Sequence, residues 1–168
     1  MEPKVSIIMG SMSDLPVMEK AAKTLNEFCI PFEMNALSAH RTPDEVELFA
    51  KGASDRGIKV IIAGAGMAAH LPGVIAAMTP IPVIGVPINA SLDGMDAVLS
   101  IIQMPPGIPV AAVGINGAQN AAILAAQILA VADAEVFKAT VAYKEGLKEK
   151  IIKANLDLKD VTYDYKTN

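Results

Sequence analysis

Short apolar runs alternate along this chain with longer stretches in which apolar residues recur at three- and four-residue spacing. The runs are Lys4–Met9 (KVSIIM), Phe32–Leu37, Ile58–Ala63 (IKVIIA), Ile81–Pro87 (IPVIGVP) and Ile108–Val113 (IPVAAV). Their length and β-branched content predict strands, with Ile58–Ala63 central and buried. A first helix is predicted from a Ser13 or Asp14 cap through Pro16 to about Phe28, with Ala21, Ala22, Leu25 and Phe28 on one face. A second opens at Thr42 and Pro43, with Glu45 placed as in a capping box. It carries Val46, Phe49, Ala50 and Ala53 to about Arg56, and Gly57 reads as its terminator. Further helices are predicted to about Met78 and over Asp96–Gln103, before the breaker Met104-Pro105-Pro106-Gly107. Ala121–Ala132 is apolar nearly all round, which predicts a helix buried on more than one side. A last helix, about 135–154, is rich in Lys and Glu and leads into a polar tail, 155–168.

Strands that alternate with helices at a spacing of roughly 25 residues predict a three-layer α/β fold. Its sheet is parallel and doubly wound, of about five strands, with a C-terminal helix added. Residues 1–168 read as one domain, with no internal repeat, low-complexity segment or linker. Ligands of such sheets sit at the carboxyl ends of strands. Three polar loops fall there: Gly10–Asp14, Ser38–Asp44 and Gly64–Gly73.

Each loop carries its own chemistry. In the first, Ser11, Ser13 and backbone N–H groups could receive a phosphate or a ribose, or simply cap a helix; neither a GxGxxG nor a P-loop spacing is met. In the second, Arg41 beside a helix start makes an anion site, and His40 puts a proton-transfer group next to it. In the third, Gly64, Ala65, Gly66, Ala68 and Ala69 would let a ligand approach the backbone closely, with His70 among them. His40 and His70 are the only two histidines of the chain.

Composition narrows the partners. The chain has 168 residues and a net charge of −4, which argues against nucleic acid. Charged residues make up 19% and the mean hydropathy is +0.41, as expected if a doubly covered sheet is combined with subunit contacts. Aromatics are 4%, too few for base-stacking platforms. Cys29 stands alone, which fits a reducing compartment, and is expected as a small core residue near a helix end. No signal peptide is expected before the first strand, which points to the cytoplasm. The uncharged windows Val60–Met78 and Ile108–Ala132 are interrupted by Gly, Pro, His, Asn and Gln, so no membrane partner is expected. No Cys/His cluster offers metal ligands.

Taken together, several motifs resemble the PurE family of purine biosynthesis, carboxyaminoimidazole ribonucleotide mutases and relatives that carboxylate aminoimidazole ribonucleotide. They are Met9–Asp14 (MGSMSD), Ser38–Pro43 (SAHRTP), Ala63–Gly73 (AGAGMAAHLPG), Ile102–Val110 (IQMPPGIPV) and Asn120–Leu129 (NAAILAAQIL). The resemblance covers about residues 4–150. It implies a flavodoxin-like sandwich, a homo-octamer, and a rearrangement that needs neither cofactor nor metal. A carboxylate would move from the exocyclic nitrogen to a ring carbon of a phosphorylated substrate, by way of carbon dioxide held inside the site. Ser11, Ser13, Ser38 and Arg41 would hold the phosphate, and Asp14 the ribose hydroxyls. His40 would be the general acid and then the base. Backbone groups of the Gly64-Ala65-Gly66 run, with His70 and Leu71, would surround the migrating carboxylate.

Three positions depart from the family pattern: Met67 where another Gly is common, Leu15 where a Trp is common, and a short segment 114–119. Alternatives are a direct carboxylase using free carbon dioxide, a flavodoxin-like electron carrier, and a non-catalytic nucleotide sensor. The Ala-Ala-His-Leu-Pro-Gly segment favours the mutase. Lack of Trp and scarcity of Tyr disfavour a flavin.

Overall fold

The computed structural model describes residues 2–168. Five parallel strands form one sheet: β1 Val5–Met9, β2 Phe32–Ala36, β3 Val60–Gly66, β4 Val83–Ile88 and β5 Ala111–Ala112. Their order is β2-β1-β3-β4-β5, the flavodoxin-like order, with a switch point between β1 and β3. Helices α1 Leu15–Glu27, α2 Pro43–Lys51, α3 Leu71–Ala76, α4 Met95–Ile102, α5 Ala118–Ala130 and α6 Ala134–Asp157 complete it.

The period-two alternation of each strand splits the core in two. Val5, Ile7 and Met9 of β1 face α1 and α5, where they meet Met18, Ala21, Leu25, Ala122 and Ala125. Ile8 faces the other way, towards Val46 and Phe49 of α2, Ile75 of α3 and Ile101 of α4. Burying each such Ile or Val contributes about 1.5–3 kcal/mol. The alanine-rich α5 packs on α1, α6, β3 and β4 together, and the small side chains permit that crowding.

Five local expectations are corrected. β3 runs on to Gly66 rather than stopping at Ala63. The glycines are strand residues because neighbours need the room: a Cβ on Gly64 would lie 2.4 Å from Met18 Sδ, and one on Gly66 2.8 Å from Ala90 Cβ. β5 shrinks to two residues paired with Ile84 and Gly85, since Pro109 brings no N–H to a ladder. Helix α2 ends at Lys51, and turns carry the chain to Gly57 (φ +84°). In that segment Arg56 donates to Glu33 and to the Phe49 carbonyl, which folds it back under α2.

Cys29 is exposed rather than buried. It occupies the left-handed position after α1 (φ 54°). Ile30 N–H donates to the Leu25 carbonyl and Cys29 N–H to that of Asn26, a Schellman closure that directs residue 29 outward. Helix α6 is longer than expected. Asp133 caps it by accepting from Glu135 N–H at 3.1 Å and Val136 N–H at 3.2 Å, and accepts from Lys4 Nζ at 2.8 Å. Only Val136 and Thr140 of that helix are buried. Among the described residues no helix is long and apolar enough to cross a membrane.

Candidate functional site

The loops after β1, β2 and β3 converge at the carboxyl edge of the sheet. Because β1 lies between β2 and β3, the first loop forms the floor, with the other two on either side. They bound an open cleft of about 580 Å³. Two other depressions, one lined by residues 76–82 and 107–109 and one between α5 and α6, gather no pair of titratable side chains.

The floor is a 3-10 turn, Met12–Asp14, capped by Ser11, whose Oγ accepts from Ser13 N–H at 3.3 Å. The helix α1 that follows receives no side-chain cap from Asp14, so the expected cap falls one turn earlier. This frees the Asp14 carboxylate for the cleft. Partial burial pushes its pKa above the ordinary aspartate value. That effect outweighs the opposing hydrogen bonds from the Ser13 side chain and the Ser11 and Gly10 backbone, and the charge of Arg41.

The second wall is shaped by Thr42. It stands at the start of α2 but makes no cap bond, so the expected capping box does not form. Its hydroxyl instead accepts from Ser38 N–H at 2.8 Å and donates to the Ser38 carbonyl at 3.1 Å. That clasp closes a tight loop carrying His40 and Arg41. Arg41 Nη2 donates to the Gly10 carbonyl at 2.9 Å and Nε to Ser38 Oγ at 3.3 Å, which ties the first two loops together. A guanidinium has five N–H donors. Both Nη1 protons are outside these two bonds and can address an anion.

The third wall brings Ala65, Gly66, Met67, Ala68, His70 and Leu71 to the cleft. His70 Nδ1 lies 2.8 Å from His40 Nε2, with the rings nearly perpendicular at 86°. One nitrogen of the pair must donate and the other accept.

Of the sequence-derived site residues, Ser11, Ser13, Asp14, Ser38, His40, Arg41, Ala65, Gly66, His70 and Leu71 all line this cleft. Gly64 does not; it lies behind the wall, fully enclosed beneath Met18. Ala90, after β4, lines the cleft and is not among the sequence-derived residues. Its signal was present, since any loop at the end of a strand adjoining β3 must border the site. No group of three or more potential metal-ligating side chains occurs among the described residues.

Fold and site define a flavodoxin-like α/β protein with a cluster of Arg41 and three serines facing a histidine pair. The family model described as AIR carboxylase matches residues 4–150, and the chain belongs to that family. It is 60% identical over 147 residues to the N5-carboxyaminoimidazole ribonucleotide mutase of Pyrococcus abyssi, spanning 87% of this chain and 84% of that protein. It is 54% identical over 151 residues to the phosphoribosylaminoimidazole carboxylase of Schizosaccharomyces pombe, spanning 89% of this chain but 27% of that longer protein. The crystal structure of Treponema denticola PurE superposes with a TM-score of 0.82 at 34% identity, covering 94% of this chain and 99% of the other.

Proposed function

We propose that this protein is an N5-carboxyaminoimidazole ribonucleotide mutase of purine biosynthesis. The observation that carries the reading is the His40–His70 contact at 2.8 Å, set between an Arg/Ser anion cradle and a wall of small residues. The P. abyssi relative, of similar length and bearing the mutase name, supports it.

The phosphate of the substrate accepts from Arg41 Nη1, from the hydroxyls of Ser11 and Ser38, and from that of Ser13 once it turns away from Asp14. Asp14 accepts from the ribose hydroxyls. This places the imidazole ring of the nucleotide against Ala65 and Gly66 and within reach of the histidines. The bond between the exocyclic nitrogen and its carboxylate then breaks. Its electron pair stays on nitrogen, which takes a proton from His40, and neutral carbon dioxide is left in the cleft. The ring carbon attacks that carbon dioxide, and the ring C–H proton returns to His40. One proton is given and one recovered, and imidazole can fill both roles because each nitrogen can hold or release a proton. Holding carbon dioxide beside the ring replaces a bimolecular encounter with a local one.

No step in this route requires a cofactor or a metal ion. The whole chain is read as one domain working in the cytoplasm, an assignment that rests on the pathway. Homo-octamer assembly is part of the same reading. The exposed apolar stripe Met95, Leu99 and Ile102 on α4 supports extensive subunit contact, and sedimentation as a monomer at micromolar concentration would reject it.

Direct carboxylation of aminoimidazole ribonucleotide is the second reading, supported by the name of the S. pombe relative. Turnover of carboxyaminoimidazole ribonucleotide, measured beside turnover of aminoimidazole ribonucleotide with bicarbonate, separates the two. Fast conversion of the first, with the second needing very high bicarbonate, establishes the mutase. Efficient use of the second alone establishes the carboxylase.

A further inference from the structure

Met67 has φ 55°, in the left-handed region that favours glycine, yet carries a long side chain. Such a conformation persists only where its surroundings impose it, and it collects at functional sites. Met67 lines the cleft and is 60% exposed there. The wall around it is small: Ala65, Gly66, Ala68 and Ala90. Leu71, the other large apolar residue of the lining, is only 3% exposed and belongs to the core. Met67 is therefore the one large, flexible apolar group that the lining offers to a ligand.

Carbon dioxide is neutral and apolar, so the charges of the cradle cannot retain it. Physical confinement must do so. An unbranched thioether side chain can lie along a planar ring and adapt to its shape, and in doing so keep water out. We infer that Met67 is a specificity-determining residue that covers the reacting edge of the bound nucleotide and sets the fraction of carbon dioxide recaptured before it escapes. The inference rests on the mutase reading above and concerns only the fate of the intermediate. Escape leaves aminoimidazole ribonucleotide, protonated on its exocyclic nitrogen by His40, and free carbon dioxide. Later capture of dissolved carbon dioxide then gives a product whose carboxyl carbon came from solution.

The test is turnover of unlabelled carboxyaminoimidazole ribonucleotide in 13C-bicarbonate, with carbonic anhydrase present to equilibrate dissolved carbon dioxide. Label in the product and free aminoimidazole ribonucleotide are read by mass spectrometry. Glycine accepts φ 55° without strain, so Met67→Gly is compatible with the fold. In Met67→Gly, label incorporation and released aminoimidazole ribonucleotide should rise about ten-fold, the low end of what one methylene-sized contact is worth in discrimination. Met67→Leu, which keeps apolar bulk, should stay near wild type. Wild-type turnover with unchanged label in Met67→Gly overturns this inference alone. Failure of the wild type to convert carboxyaminoimidazole ribonucleotide overturns the mutase reading and this inference with it.

Discussion

His40 Nε2 and His70 Nδ1 are hydrogen-bonded at 2.8 Å across the loop that follows β1, although they come from loops on opposite sides of that strand. Each ring gives the other a partner in the free protein, and the substrate must share or displace that bond. In the proposed route His40 both gives and recovers the proton, and Asn can do neither. His40→Asn should lower kcat about 10²- to 10⁴-fold while KM changes little. Both rings are exposed, so the variant should fold. Near-normal kcat would reject the assignment.

Arg41 serves two loops at once, through the Gly10 carbonyl and Ser38 Oγ. A lysine ammonium cannot span both and still fork onto a phosphate. Arg41→Lys and Arg41→Ala should both raise KM, about ten- to a hundred-fold for the alanine variant, as expected for loss of charge-assisted hydrogen bonds. Steady-state kinetics at fixed ionic strength check this, and an unchanged KM would remove Arg41 from the phosphate site.

Asp14 works against stability. Burial raises its pKa in the folded protein, so over the range between its ordinary and raised values the folded state binds more protons than the unfolded one. Stability therefore falls as pH rises through that range, and the penalty persists above it. Asp14→Asn should raise the urea midpoint at pH 7, with the gain shrinking as pH falls towards the ordinary aspartate value. KM should worsen in the same variant. A midpoint that drops at pH 7 would show that the hydrogen bonds around Asp14, not its burial, dominate.

Gly64 and Met18 form a coupled pair in the core. A Cβ on Gly64 would lie 2.4 Å from a sulfur that is itself fully buried. Gly64→Ala should destabilise by about 1–3 kcal/mol and Met18→Ala by about 2–5 kcal/mol. The double variant should cost less than the sum, because truncating Met18 vacates the space the new Cβ needs and that Cβ partly fills the cavity left behind. Strict additivity in denaturant unfolding would reject the contact.

Much of this was legible in the sequence because the apolar runs of β1, β3 and β4 are unambiguous and the three polar loops must share one sheet edge. Pairing of His40 with His70 was not, since it depends on β1 lying between β2 and β3. Glycine was a misleading signal in β3. It reads locally as a turn, yet at Gly64 and Gly66 it answers to Met18 and Ala90, residues remote in sequence. Thr42 misled for a related reason: its hydroxyl had two local partners available, and the Ser38 backbone took it from the helix start. Residue type predicts burial of Cys29, whereas the Schellman closure turns it outward.

That closure leaves the chain with a practical asymmetry. The sole thiol is on the surface at the end of α1, about 20 Å along the helix axis from the cleft floor at its start. A fluorophore attached there would mark each copy of the chain at one defined point, remote from the histidine pair. Energy transfer between marked and acceptor-bearing copies would then test the proposed assembly during turnover, with the label kept clear of the cleft.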